Sequence, residues 1–402
     1  MKLIEILTLS VKKNASDVHL KAGLVPVIRK HGKLRPLEQG LAQLTSAEIE
    51  EMALEILDEQ QKESFRLHRE IDVGYGVSGL GRFRINIFRQ RGTVRMVVRN
   101  IPFNVPTLEE LNLPKILKKI VAAERGLILV TGVTGSGKSS TLAAMIDFIN
   151  STQNLHILTI EDPIEFLIRD RKSIISQREL GLDTSTFSNA LRAALRQDPD
   201  VILIGEMRDR ETIEIAIQAA ETGHLVLSTL HTSDAQESVN RIIGAFEPHQ
   251  HDQIRRQLAA VLKAVISQRL ARRKDKTGFV PAVEILLTNQ RVKEMIADAT
   301  RTNGLTAVIE ESASTMGMQS FDQSLMSLLT QDLIEYEEAL ILSKNPEDFQ
   351  LRAAGIAEGG SWHSNVQLRE KARGQWQAGE RLEIVDSGSP DPGPIPQSNV
   401  KR

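Results

Sequence analysis

The 402-residue chain contains no cysteine. That excludes disulfides, thiolate chemistry and cysteine-ligated zinc. It also lacks any apolar run approaching about 18 residues, so no segment is expected to span a bilayer. The start, Met1-Lys2-Leu3-Ile4-Glu5, has no signal-peptide character, because its first apolar stretch is short and broken by Glu5. Neither sign of charge is in excess: 50 basic against 52 acidic residues leave a net charge of −2. Bulk electrostatics therefore points to neither nucleic acid nor an acidic membrane surface as partner. What remains is ordinary for a soluble globular protein, 41% hydrophobic and 25% charged. The expectation is a cytoplasmic enzyme without direct membrane insertion, long enough for two domains and a tail.

Along the chain, residues 1–100 read as a small α/β domain. Residues 25–29 and 71–75 have strand character, and residues 46–66 read as one helix. Thr45 and Glu48 form a capping box, and Ile49, Met52, Ala53, Ile56 and Leu57 make an apolar stripe. After Gly79-Leu80-Gly81, residues 82–88 alternate polar and apolar, and a partner strand over 93–99 follows Arg91-Gly92. One face of that hairpin carries Arg82 and Arg84, which by pattern alone is a solvated face. Two prolines mark residues 101–112 as a linker. From 113 to 285, apolar runs alternate with helical patterns, as in a parallel sheet with crossover helices. Residues 290–356 read as helical. Residues 357–402 are rich in Gly, Ser and Pro and read as a disordered tail, in which Trp362 and Trp376 are unusual.

The run Leu127-Ile128-Leu129-Val130 leads directly into Gly132-Val133-Thr134-Gly135-Ser136-Gly137-Lys138-Ser139, a complete G-x-x-x-x-G-K-S phosphate-binding loop. Gly132, Gly135 and Gly137 let the backbone curl so that N–H groups around Thr134 and Ser136 face an anion. Lys138 adds a point charge for the β- and γ-phosphates. Ser139 and Ser140 open a helix whose N-terminus favours negative charge. The Ser139 hydroxyl is the expected Mg²⁺ ligand.

Three further motifs each follow an apolar run. Residues 156–160 lead into Glu161-Asp162-Pro163-Ile164-Glu165, residues 201–204 into Gly205-Glu206-Met207-Arg208-Asp209, and residues 225–230 into His231-Thr232. Ligands of open α/β sheets bind outside the carboxyl ends of the strands, so the four motifs can converge on one nucleotide. ATP hydrolysis needs Mg²⁺, a positioned water and positive charge on the transition state. Glu206 is the first choice for the group that orients or deprotonates water. Glu161, a further Mg²⁺ ligand directly or through water, and Asp162 are alternatives for that duty. His231 is placed to sense the γ-phosphate. His224 is counted with the nucleotide-binding residues, although its context also reads as a core histidine or a helix C-cap contact. His249 and His251 sit at a polar helix start and make no zinc site.

Together these residues resemble the secretion-ATPase superfamily that drives type II secretion and type IV pili, and within it the twitching-motility, or pilus-retraction, ATPases. The resemblance is carried by the phosphate-binding loop, an "aspartate box" over residues 159–166, a Walker B segment over 202–209 and a "histidine box" over 220–232. Ala15-Ser16-Asp17-Val18-His19-Leu20 and Gly317-Met318-Gln319-Ser320-Phe321-Asp322 add to it. It covers residues 1–356. It implies a PAS-like N-terminal domain, a RecA-like P-loop ATPase core with a helical C-terminal part, and a homohexamer. It further implies ATP and Mg²⁺ between domains, with Arg82, Arg84 and Arg99 reaching the phosphates. The implied partners are an inner-membrane pilus platform protein and a paralogous pilus ATPase, at the cytoplasmic face of the inner membrane. Extension and type II secretion relatives carry an extra N-terminal domain and usually a four-cysteine zinc module. The absence of both favours retraction. The Ala-Ile-Arg-Asn-Leu-Ile-Arg-Glu motif usual in the retraction ATPase is replaced by Arg291-Val292-Lys293-Glu294-Met295-Ile296-Ala297-Asp298. That departure keeps an accessory retraction ATPase as an alternative, beside an assembly or secretion ATPase. A nucleic-acid motor is a remoter alternative, resting on the basic run over 269–276. That run reads as a solvated helix end with no interleaved aromatics. A catalytically weak ring subunit is disfavoured by the intact Lys138, Glu161, Glu206 and His231.

Overall fold

The computed structural model describes residues 1–354, apart from His31, Pro102 and Phe103. The expected tail, with Trp362 and Trp376, and two residues of the expected linker lie outside the described residues.

Six strands form an antiparallel sheet in the N-terminal part: β1 (Asp17–Leu20), β2 (Val27–Lys30), β3 (Lys33–Pro36), β4 (Glu70–Val77), β5 (Gly81–Gln90) and β6 (Thr93–Ile101). Their order is β3-β2-β1-β6-β5-β4. The period-2 pattern of residues 82–88 decides how β5 faces. Phe83, Ile85 and Ile87 are fully buried with Val94, Met96 and Val98, whereas Arg82 and Arg84 alternate onto the other face. Three helices cover the apolar face: α1 (Leu3–Lys12), α2 (Ser46–Ile56) and α3 (Glu59–His68). The single helix expected over 46–66 is two. Leu57 takes extended backbone angles, and Asp58 starts a second helix by accepting the Gln61 N–H while Gln61 reaches back to it. A second capping box thus lies inside the expected helix, directly after the apolar stripe, and local capping overrides helical periodicity. The first box, Thr45 with Glu48, forms as expected.

The second sheet has seven strands, preceded by α4 (Ile116–Val121). In chain order they are β7 (Gly126–Thr131), β8 (His156–Glu161), β9 (Ile174–Glu179), β10 (Val201–Ile204), β11 (Leu225–Leu230), β12 (Leu262–Arg272) and β13 (Phe279–Leu287). Their order is β13-β12-β7-β11-β10-β8-β9. All neighbours are parallel except the β12–β13 hairpin. Between strands run α5 (Lys138–Thr152), α6 (Phe187–Ala194), α7 (Arg210–Glu221), α8 (Ala235–Ile243) and α9 (His251–Val261). Strands β7, β10 and β11 are buried along their whole length, as a sheet covered on both faces requires. Two apolar clusters pack its faces, one with α5 and one with α6–α9. The expected α/β class, with a mainly parallel core, is the architecture observed.

Helices α10 (Gln290–Ala297), α11 (Leu305–Glu311), α12 (Ala313–Met316), α13 (Phe321–Thr330), α14 (Tyr336–Leu342) and α15 (Pro346–Ala353) complete the described chain. The basic run over 269–276 is not a helix end. Its first residues are the end of β12, whose register with β13 continues to Arg272. Arg269 stacks on the Phe321 ring at 4.1 Å and donates to the Leu342 carbonyl. Arg273 and Lys274 pair with Asp275 and Asp332.

Glu284 on β13 is 1% exposed. One carboxyl oxygen accepts the Ala235 N–H at 2.9 Å, and the other has no partner. Burial pushes its carboxyl up to about 7, opposed by that N–H and by Lys344 and Arg269, while Asp234 adds to the rise. A carboxyl raised on folding favours the folded state below the ordinary Glu range, and the advantage is lost as pH rises through about 7. Glu284→Gln keeps the acceptor for Ala235 and carries no charge. Thermal unfolding of parent and variant should diverge in the variant's favour between about pH 5 and pH 8, by roughly 2–3 kcal/mol. Parallel stability curves would show that Glu284 does not titrate in this window.

Candidate active site

The four motif-bearing strands are consecutive neighbours in the sheet, in the order β7-β11-β10-β8. Parallel pairing points all four carboxyl ends to one edge. A cavity of about 610 Å³ opens there, lined by residues of every motif.

The phosphate-binding loop forms one wall. Gly137 takes the left-handed conformation, with φ of 88°, as the N-cap of α5. Thr134, Gly135, Gly137, Lys138, Ser139 and Ser140 line the cavity. Gly132 and Ser136 lie buried beneath it, and the Ser136 hydroxyl has no partner. The Lys138 ammonium folds back onto the loop, donating to the carbonyls of Gly132 at 2.8 Å and Val133 at 3.1 Å. Burial pushes that ammonium below the usual lysine range, while Glu206 and Glu165 pull it back up.

Carboxylates form the facing wall. Glu161, Asp162, Glu165 and Glu206 all line the cavity. Glu161 ends β8, and its Oε1 accepts from the Thr159 hydroxyl at 2.6 Å and from Gln177 Nε2 at 3.0 Å. Burial pushes its carboxyl above the usual glutamate range, and those two donors oppose the rise. Glu206 is only 12% exposed at its side chain, and each of its oxygens has a neighbour: the Arg208 guanidinium at 2.6 Å and His231 Nε2 at 3.4 Å. Gly205 permits this arrangement. A Cβ there would stand 3.2 Å from the Ile160 carbonyl and 3.4 Å from Glu161 Cα, so a side chain would push the ends of β10 and β8 slightly apart.

Within the single chain, three of the residues expected at the site, His224, Arg84 and Arg82, do not line the cavity. His224 precedes β11, at the opposite strand end from His231, roughly 20 Å away at about 3.3 Å per residue. Its Nδ1 meets the Ala219 carbonyl at 2.9 Å, which makes it a C-terminal contact of α7. Arg84 pairs with Asp72 at 3.6 Å on the N-terminal sheet and does not line the cavity. Arg82 does not line it either, but it crosses to the second sheet and meets Glu179 on β9 at 3.1 Å. Glu179 in turn accepts the Ile164 N–H of the aspartate box at 3.3 Å. Arg99, named with these two, is held by Asp17 at 3.0 Å.

Sequence reasoning did not single out Thr159, Gln177, Glu179 or Arg208. Arg208 lies in the Walker B run, but nothing in its spacing assigns it to Glu206. Strand β9 is partly exposed and only weakly apolar, so its period gave no signal.

The donor set fits a nucleotide with Mg²⁺. An N–H-rich loop, a lysine and the start of a 15-residue helix face a hydroxyl and several carboxylates. Among the described residues no cluster of three or more His, Asp or Glu forms a metal cage. Among the described residues, too, no helix is long and apolar enough to cross a membrane.

Known proteins agree with this geometry. The family model of type II/IV secretion system proteins matches residues 2–316. The chain is 42% identical over 349 residues to a type IV pilus retraction ATPase, PilT, of Pseudomonas aeruginosa, spanning 87% of this chain and 100% of that protein. It is 41% identical over 351 residues to the type IV pilus ATPase PilU of the same organism, spanning 87% and 91%. A crystal structure of the pilus retraction motor PilT with bound ADP matches with a TM-score of 0.79 at 42% identity, over 87% of this chain and 98% of that one. The four strand-end motifs meet on one cavity, and the family model and these relatives span most of the chain; together they carry one conclusion: the chain belongs to the type II/IV secretion system protein family, among its pilus-retraction and twitching-motility ATPases.

Proposed function

We propose that this chain hydrolyses ATP to drive retraction of a type IV pilus. The observation that carries the reading is the convergence of the phosphate-binding loop, Glu161, Glu206 and His231 on a single cavity. The similarity to PilT supports the retraction assignment.

The chemistry follows from the residues. Loop N–H groups and the start of α5 bind the β- and γ-phosphates. Lys138 exchanges its two loop carbonyls for phosphate oxygens and offsets charge developing toward the leaving ADP. Glu206 orients a water and accepts its proton as the water oxygen bonds to the γ-phosphorus and the bond to the β-phosphate oxygen breaks. Arg208 and His231 hold the Glu206 carboxylate from both sides until then. His231, half-exposed at the end of β11, registers whether a γ-phosphate is present. The Ser139 hydroxyl and, through water, Glu161 would hold Mg²⁺, which would supply positive charge to the phosphates.

The working unit is a homohexamer. A PAS-like domain (1–100) and a RecA-like domain (113–356) move about the linker (101–112). Arg82, hooked on Glu179, is the contact through which nucleotide state reaches the N-terminal domain. The motor acts on an inner-membrane pilus platform protein at the cytoplasmic face, beside a paralogous pilus ATPase. The nearly equal identity to PilU favours one second reading, an accessory retraction ATPase. The basic run gives little support to a nucleic-acid motor, since Arg269, Arg273 and Lys274 are engaged within the chain.

Lys138→Ala should abolish binding of a fluorescent ATP analogue, and parental ATPase activity in that variant would sink the site assignment. Glu206→Gln should still bind the analogue but turn over roughly 10²–10⁴-fold more slowly. Equal turnover would move the water-activating role to Glu161. Deleting the gene should leave surplus surface pili and no twitching. Absent pili would point to extension, and an unchanged phenotype would refute a pilus role. Twitching restored only when a paralogous ATPase is also present would favour the accessory reading.

A further inference from the structure

Strand β9 is the edge of the seven-stranded sheet beside the aspartate-box loop. Gln177 and Glu179 share one of its faces, two residues apart. The Gln177 amide makes three hydrogen bonds. Its Nε2 donates to Glu161 Oε1 at 3.0 Å and to the Phe166 carbonyl at 3.0 Å, and its Oε1 accepts the Ile168 N–H at 2.9 Å. The partners fix which way the amide points, because a carboxylate and a carbonyl can only accept and a backbone N–H can only donate. These three bonds of the Gln177 side chain go to the carboxylate at the end of β8 and to the backbone of the loop that follows it.

Glu179 repeats the device two residues on. Its carboxylate takes the Ile164 N–H at 3.3 Å and the Arg82 guanidinium at 3.1 Å. Gly74 on β4 makes room for that contact, since a Cβ there would lie 2.9 Å from Arg82 Nη2 and 3.3 Å from Glu179 Oε1. Loop residues Asp162, Pro163, Glu165, Phe166 and Ile168 form a wall of the cavity.

We propose that Gln177 is a positioning residue of the ATPase site, holding the Glu161 carboxylate and the 162–168 loop as one rigid unit. This rests on the ATPase reading above. Gln177 touches no reacting atom; it acts by denying Glu161 other rotamers and the loop other paths. Thr159 shares only the first of these tasks, because its hydroxyl reaches the same Glu161 oxygen and nothing in the loop.

The test is steady-state ATPase kinetics on the purified full chain, with thermal unfolding and size-exclusion chromatography as controls. Gln177→Met should lower kcat about ten- to a hundredfold and raise KM for ATP several-fold, as the loop wall loosens. Thr159→Val should lower kcat with KM unchanged. Gln177→Glu keeps the shape and the acceptor for Ile168 but loses both donors and sets a second carboxylate against Glu161. A packing role would be rescued by this isosteric change; a positioning role will not be, and kcat should fall at least as far as in Gln177→Met. The Thr159→Val/Gln177→Met pair should lose less than the product of the single losses, because both act on one carboxylate oxygen. Parental kcat in Gln177→Glu, or strictly multiplicative losses in the double variant, overturns the proposal. A parent protein without ATPase activity overturns the functional reading and this one together, whereas an active parent with unmoved variants overturns this one alone.

Discussion

Parallel hydrogen bonding between β7, β11, β10 and β8 sets the last residues of four strands side by side, roughly 4.8 Å apart in the pairing direction. The chemistry of the chain depends on that spacing. An antiparallel arrangement would send alternate motifs to opposite edges, and a site built from Lys138, Glu161, Glu206 and His231 would not exist. Burial on both faces keeps the strands in register, because a slip would carry polar strand-end residues into the apolar layers.

Charge at the strand ends is organised in pairs rather than concentrated. Lys138 folds onto its own loop, Glu206 lies between Arg208 and His231, and Glu161 is held by two neutral donors. Each group therefore has a partner that it can give up when phosphates arrive. Glu179 links the site to the N-terminal sheet, because one carboxylate holds both an aspartate-box N–H and a guanidinium from the other sheet.

Much of this was legible beforehand, for identifiable reasons. The phosphate-binding loop is local chemistry: its glycines, lysine and serines act on whatever sits within one turn of chain. The apolar runs of β7, β10 and β11 are long and clean because those strands are buried on both faces. Residues 46–66 read as one helix because helical character resumes directly after the stripe ends at Leu57, while Asp58 and Gln61 start a new helix. His224 misled because a motif read along the chain hides which end of a strand each histidine occupies. Strand β9, half-exposed and polar, carries no periodic signal strong enough to mark Gln177 or Glu179.

The sequence by itself determined the α/β class, the phosphate-binding loop and the polar motifs that follow each buried strand, since these depend on residues close together in the chain. Only the tertiary structure decided which of those motifs meet. Strand order is set by long-range pairing, so it alone brings Glu206 to His231, 25 residues later in the numbering, and Gln177 to Glu161, 16 residues earlier. It also sends Arg82 to Glu179, across 97 residues and between two sheets. Contacts of that separation have no local signature, because what fixes them is the packing of surfaces that the chain forms only once it has folded.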